Sequence, residues 1–253
     1  MNATLENWYS SESPKIEKVY TSASSNWNAY LYTDGSTYVR GSSSIYSSSL
    51  TYKNGTSVKT SGTTVWFKVE PIRWVVLNYD EVSSGTATSI NCVSEISLCS
   101  NIQYNSNQVD DANKWGVSKI RTWLNSKFYE EVFTKEQKNN IFPTSNSTTL
   151  TSGESLITED YIYLLSKDYI NSSAFSSAKT CAPSDFVLSN YCNATFNASY
   201  PTRTRSDGLG CIWWTSTGSG TESVYVVYGT GFCSTNSVIQ KGYTIRPAIS
   251  FKI

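Results

Sequence analysis

The sequence predicts an α+β fold, and three observations predict it. Segments of alternating apolar and polar residues, separated by turn dipeptides, fill both ends of the chain. Apolar spacings of three and four occur only in the middle. The composition is 39% hydrophobic, 14% aromatic and only 16% charged, where ordinary soluble domains carry roughly a quarter charged residues. Solubility must therefore come from Ser, Thr, Asn and Tyr, residues that suit sheet surfaces and hydrogen-bonding recognition faces. Eight Trp, 18 Tyr and nine Phe among 253 residues supply apolar area for a sizeable core.

The elements follow in order. The opening MNATLENWYSSESPK has neither the basic nor the apolar stretch of a secretory leader. YLYTDGSTYVR and LTYKNGTSVKT place Asp34-Gly35 and Asn54-Gly55 between alternating residues, the signature of two-residue hairpin turns. These form an expected N-terminal β-hairpin extension over residues 1–63, followed by a second region over 64–253. VWFKVEPIRWVVLNYD opens that region as a strand pair with Pro71 at a bend or an edge. Trp74, Val76 and Tyr79 fall on one face, Val75 and Leu77 on the other, so the second strand reads as buried on both sides. TATSINCVSEISL is a further strand.

In SKIRTWLNSKFYEEVF, residues Ile120, Trp123, Leu124, Phe128 and Val132 share one helical face, with Ser118 as its N-cap. Thr134 and Gln137 have capping-box spacing. DYIYLLSKDYINSS reads as a short apolar strand and then a helix capped by Ser166. Residues 181–206 are polar and irregular. The end is β again, in CIWWTST, SVYVVYG, NSVIQKG and YTIRPAISFKI, with Gly229-Thr230-Gly231 as a turn.

Several chemistries are disfavoured. The chain has no histidine, which removes Ser-His-Asp and Cys-His nucleophiles and imidazole zinc sites. Its 20 basic and 20 acidic residues cancel without a polybasic run, so no nucleic-acid partner is expected. No apolar segment approaches a bilayer span, so no membrane insertion is expected either. Six cysteines, Cys92, Cys99, Cys181, Cys192, Cys211 and Cys233, fit a disulfide framework; sequential pairing is one of 15 connectivities. The alternative is free buried thiols. Asp110-Asp111 are candidate calcium ligands or a solvated loop. Glu130-Glu131 and Glu159-Asp160 are candidate glycosidase carboxylates or ordinary helix and strand residues. Arg203 and Arg205 clamp an anion or solvate a loop. No cofactor and no metal are expected.

FKVEPIRWVVL, SKIRTWLNSKFYEEVFTKEQKNNI, IYLLSKDY, WWTST and the terminal IRPAISF, in this order over roughly residues 64 to 253, resemble a poorly characterised family of bacterial and phage surface domains. That family looks related to C-type-lectin-fold variable proteins of diversity-generating retroelements, and more distantly to formylglycine-generating enzymes. The resemblance implies a C-type-lectin-like fold with two or three helices. It also implies a ligand surface between the tryptophan strand and the Arg-Pro-Ala strand, here Thr215 to Ile245. Thr215-Ser216-Thr217 replaces the usual Leu-Arg-Ser, which removes a basic side chain, and the calcium-site tripeptides of animal lectins are absent. Only Glu222 between Thr215 and Ile239 is of a type that adenine mutagenesis of Asn codons cannot produce.

The expected function is therefore non-catalytic recognition by an adhesin or receptor-binding protein at a cell or virion surface. Its partner would be a protein or glycan on another surface, with homo-oligomer formation possible. The alternatives are an enzyme of the same fold family or a carboxylate-based glycan hydrolase, and a structural subunit of a surface assembly. Candidate ligand-binding residues are Trp214, Thr217, Ser219, Thr221, Tyr225, Tyr228, Thr230, Phe232, Thr235, Asn236 and Ser237. They combine rigid aromatic area with adaptable hydroxyls and amides. Val224 and Val226 belong to the core face of their strand; Trp213 and Trp214 point to opposite faces of theirs, so one is core and the other is free to anchor a ligand. Arg246 reads as a structural donor.

Overall fold

A computed structural model describes residues 4–6, 18–21, 28–31, 37–81, 87–197, 199, 202 and 206–252. It is mixed α+β, with mostly antiparallel sheets and a few short helices. The N-terminal sheet runs Thr4–Glu6, Thr64–Glu70, Thr37–Ser42, Asn28–Leu31, Lys18–Thr21, with every pairing antiparallel. Asn28–Leu31 and Thr37–Ser42 pair antiparallel, but Leu31 faces Thr37 and Tyr30 faces Tyr38, a register one residue off the one that a two-residue turn at Asp34-Gly35 requires; Asp34 and Gly35 themselves lie outside the described residues. Arg203 and Arg205 lie outside them too.

The Asn54-Gly55 segment closes differently from a two-residue hairpin. Only Gly55 takes a positive φ, +83°, where a type I′ turn needs two such residues. The Gly55 N–H donates to the Tyr52 carbonyl (2.9 Å) and the Tyr52 N–H to Thr56 O (2.8 Å). Asn54 Oδ1 accepts from the Thr56 N–H and hydroxyl, so the amide side chain stabilises the wider turn.

Pro71 separates two strands that do not pair with each other. Thr64–Glu70 stays in the N-terminal sheet, whereas Trp74–Glu81 begins a four-stranded sheet of order Trp74–Glu81, Ala87–Ser94, Ala248–Lys252, Ile141–Phe142. Trp74–Glu81 lies at the edge, where the packed layers do not reach fully over it. Val76 is accordingly 55% exposed, against the expected burial on both sides, and Val75 and Leu77 are half-buried.

The third large sheet is ordered Cys233–Ser237, Ser223–Val227, Trp213–Ser219, Thr244–Ile245, Cys99–Ser100. Its one parallel contact is Trp213 with Thr244. Two cores flank it. One gathers Trp214, Val224, Val226 and Tyr243 with Ile120, Leu124 and Phe128 of the helical segment. The other gathers Trp213 and Val227 with Phe175 and Val187, and also Leu50, Tyr52, Val65 and Phe67 from the N-terminal part. The second core thus joins residues 50–67 to the C-terminal part of the chain.

Ser118 caps the helix Lys119–Trp123 by accepting the Arg121 N–H. The helix continues through a π-helical turn, Leu124–Phe128, into Tyr129–Val132. The Thr134–Gln137 capping box and the Ser166 cap form as the spacing predicts. The segment before Ser166 departs from expectation. Its strand is Ser155–Asp160, and Tyr163 meets the sheet through an isolated bridge to Ala248, while Ile162, Leu164 and Leu165 go into the two cores.

The expected disulfides do not form: all six cysteines are free thiols. Cys92 and Cys99 belong to strands of different sheets. Cys233 lies against Asn171 (Sγ to Oδ1 3.6 Å), whereas Cys211 is fully buried and donates to the Cys181 carbonyl (3.2 Å). Cys181 and Cys192 are likewise buried, and Ser97 Oγ lies between the sulfurs of Cys181 (3.5 Å) and Cys211 (3.1 Å). Removal from water pushes the Cys211 thiol up to about 12 and the Cys92 thiol to about 11.

Candidate functional site

The site is the open face of the sheet built on Trp213–Ser219. Strand alternation divides the hairpin. Val224 and Val226 point into one core, while Tyr225, opposite Thr235, points outward and is half-exposed. Val227 shares the Tyr225 side but is covered by Phe175 and Trp213. The outer face is therefore closed at its Trp213 end and open at its Tyr225 end.

A β-bulge sets the chemistry of the open end. Pairing of Trp213–Ser219 with Ser223–Val227 slips between Trp214 and Gly218, which turns the intervening residues out of the ladder. The Thr215 hydroxyl donates to the Tyr225 carbonyl (2.8 Å) and accepts the Thr217 N–H (3.2 Å). The freed Ser216 N–H donates to Leu165 O (3.1 Å), and Thr217 Oγ1 accepts the Lys167 N–H (2.9 Å). The segment Leu165–Lys167 is thereby tied along the bulge, and Lys167 Nζ is held 4.2 Å from the centroid of the Tyr225 ring.

Hydrogen bonding to Ser219, and then the Lys167 ammonium, lower the Tyr225 phenol from its usual value. A cation thus reaches this face from another segment, although Thr215-Ser216-Thr217 lacks one. Gly218 is required here, because a Cβ would meet the Asn113 carbonyl at 2.7 Å. Asn113 in turn donates to Gly220 O (2.8 Å) and fixes the hairpin tip.

The predicted residues do not all share this face. Trp214 is 0% exposed, with its indole N–H bonded to Ile102 O (3.2 Å) and its ring against Tyr104 and Tyr243. It has no surface to offer, and both tryptophans are core. Tyr228 packs against the inner core and its hydroxyl accepts from Asn236 Nδ2 (3.2 Å), so this pair forms a rim on the inner side. Ser237 Oγ accepts from Gln108 Nε2, which also holds Glu222. Thr221 lies in the tip, exposed. Thr230 lies in the turn Tyr228–Phe232, which is closed by the Gly231 N–H on Tyr228 O (2.8 Å) and raises Phe232 to 68% exposure. Thr217, Ser219, Thr221, Tyr225, Phe232 and Thr235 remain accessible, with Tyr225 and Thr235 directly opposite each other on the outer face.

Sequence reasoning missed Lys167, Asn171 and Lys179. Lys179 Nζ donates to Asn171 Oδ1 (3.2 Å), beside Cys233. The Ser166 cap announced their helix, but no local signal joins it to a hairpin about 50 residues later.

The candidate acids have other roles. Asp160 is fully buried and accepts from Trp115 Nε1 (2.8 Å), Arg121 Nε (2.6 Å), Asn146 Nδ2 (3.0 Å) and Thr158 Oγ1 (3.0 Å). Glu159 is exposed, as strand alternation from Asp160 requires. Glu130 holds Lys138, and both Glu130 and Glu131 are exposed. Asp111 Oδ1 accepts the Thr151 N–H and hydroxyl, both at 2.7 Å, so it clips one loop to another. Arg246 donates to Ser94 O (2.9 Å) and Ala178 O (2.5 Å) and lies near the rings of Trp213 and Phe175. It is a buried structural donor, as expected. Among the described residues no helix is long and apolar enough to cross a membrane.

Compared with known proteins, residues 78–253 match a family model described as "Domain of unknown function (DUF6273)". No curated protein and no solved structure matches the chain.

Proposed function

The chain belongs to the DUF6273 family, and we propose that it is a non-catalytic recognition module whose ligand surface is this outer sheet face. The carrying observation is the contrast across a single strand. Val224 and Val226 anchor it in a core, while Tyr225 is left open under Lys167 and beside the Ser219 hydroxyl. A rigid tyrosine ringed by Thr, Ser and a cation offers contact area at low entropic cost and adaptable hydrogen bonds. The surface comprises Thr217, Ser219, Tyr225, Phe232 and Thr235, with Lys167 added. The partner is a protein or glycan displayed on another surface, which places this chain on a cell or virion exterior.

The fold is read as C-type-lectin-like. In support, the last strand, Ala248–Lys252, returns to pair with Ala87–Ser94 near the start of the family region, and the tryptophan hairpin builds a second sheet.

The test compares the wild type with Y225A/F232A/T235A on a printed array of cell-surface glycans and proteins, with circular dichroism as the folding control. The expected result is wild-type binding that falls at least about tenfold in the folded triple variant. Absence of wild-type binding, or binding unchanged in that variant, overturns the reading.

A further inference from the structure

We propose that the outer sheet face takes an acidic glycan, whose carboxylate or sulfate groups are met by the ammonium groups of Lys167 and Lys179. The inference rests on the reading of this face as the ligand surface and names the chemistry of its ligand. Both ammonium groups have neutral partners. Lys167 Nζ lies 4.2 Å from the centroid of the Tyr225 ring, and Lys179 Nζ donates to Asn171 Oδ1 (3.2 Å). Among the described residues neither lysine belongs to a salt bridge. A ring face and an amide hold an ammonium group in place without cancelling its charge, so an anion is what the two positions leave to be supplied.

The fold brings the two charges to one strand. Lys167 is fixed at its backbone, where its N–H donates to Thr217 Oγ1 (2.9 Å). The Lys179 side chain runs beside the turn Tyr228–Phe232, so close that a Cβ on Gly231 would meet Lys179 Cβ at 3.2 Å. Its partner Asn171 has Oδ1 3.6 Å from Cys233 Sγ, and Thr235 of the same strand stands opposite Tyr225. Burial raises the Cys233 thiol, and Lys179 and Lys167 both act against that rise. The acids of these segments leave the charge uncancelled. Glu222 is held by the Gln108 amide (2.8 Å), and at the Tyr225 phenol the Ser219 hydrogen bond and Lys167 outweigh the exposed Asp168. The neutral groups suit a sugar better than a peptide. Thr217, Ser219 and Thr235 carry hydroxyls that both donate and accept, matching sugar hydroxyls. On this face the open aromatic area is that of Tyr225 and Phe232, whereas a protein interface centres on a buried apolar core from which lysine is depleted.

Biolayer interferometry of the whole chain, in about 50 mM NaCl, tests the ligand class on two pairs of immobilised polymers. Hyaluronan is set against carboxyl-reduced hyaluronan, and dextran sulfate against dextran, so the first pair reads carboxylate and the second sulfate. The expected result is binding at least about tenfold tighter to one or both charged polymers than to the neutral counterpart. K167A/K179A should lose at least about tenfold, while K241A/K252A, which removes two exposed lysines away from this face, should bind as the wild type does. No preference for either charged polymer overturns the proposal. So does an equal loss in both lysine pairs, which would mark attraction by overall charge. The variant Y225A/F232A/T235A separates the two readings. If it loses binding to a neutral glycan or a protein on the array while no charged polymer is preferred, the open face stands and its acidic ligand falls. If it binds every probe as the wild type does, the face itself is wrong and this inference falls with it.

Discussion

Tyr243 and Tyr225 stand on opposite sides of one sheet, and their phenols move in opposite directions. Tyr243 packs edge-on against Trp214 in the inner core, and burial pushes its phenol up to about 12. Tyr225 is on the open side, where Ser219 and Lys167 lower its phenol. One face removes its aromatic side chains from water and fixes the backbone. The other presents an aromatic side chain to solvent in a prearranged electrostatic setting. The difference shows that one sheet sets a buried aromatic face against an open one, and within Ser223–Val227 the same division alternates residue by residue between Val224 or Val226 and Tyr225.

The largest effect should come from the inner face. Trp214→Ala leaves a cavity between Tyr104 and Tyr243 and should lower unfolding stability by about 3–5 kcal/mol in urea titration. A loss below about 1 kcal/mol would mean that the inner face is not a packed core.

Alkali should attack the same interior. Cys92, Cys211 and Tyr243 have folded values raised above those of the unfolded chain. Their protonated forms therefore favour the folded state at low pH. That contribution is fully present below about 9 and is lost progressively as pH rises towards about 12. The urea midpoint should fall over this interval; a flat profile would contradict the burial of these groups.

Thiol labelling should separate exposed from buried positions. Cys233 is partly exposed, burial pushes the partly exposed Cys99 thiol up to about 12, and the other four cysteines are buried, so native protein should react first at Cys233 and unfolded protein at all six. Fast reaction of Cys181, Cys192 or Cys211 would show that the second core opens.

The smallest effect belongs to the open face. Lys167→Ala should leave stability within about 0.5 kcal/mol while moving the Tyr225 phenol back up towards its ordinary value, as read from the ring-carbon NMR titration. An unmoved titration would remove Lys167 from the site.

Much of this was legible in the sequence because it is local. The caps at Ser118, Thr134 and Ser166 follow from side chains reaching the backbone three residues on. The burial of Val224 and Val226 follows from the period of a strand. Arg246, too, was readable as a structural donor. Other features depend on which segments meet. Trp214 was assigned to a ligand on the ground that paired tryptophans face opposite ways; they do, but a core lies on each side. Cysteine count suggested disulfides, while the sheets carry Cys92 and Cys99 into separate ladders and set Cys233 apart from Cys211. Asp160 could be read from sequence as half of an acid pair, because its four donors come from positions 115 to 158 and converge only in space.

The sequence by itself determined the α+β class, the helix starts, the turn at Gly229–Gly231 and the two-sidedness of the C-terminal hairpin, since each rests on spacings of two to four residues. Only the tertiary structure decided that Pro71 sends consecutive strands into different sheets. It alone brought Lys167 over Tyr225 and covered both faces of the tryptophan pair. These outcomes depend on contacts between residues tens of positions apart, and no local periodicity encodes them.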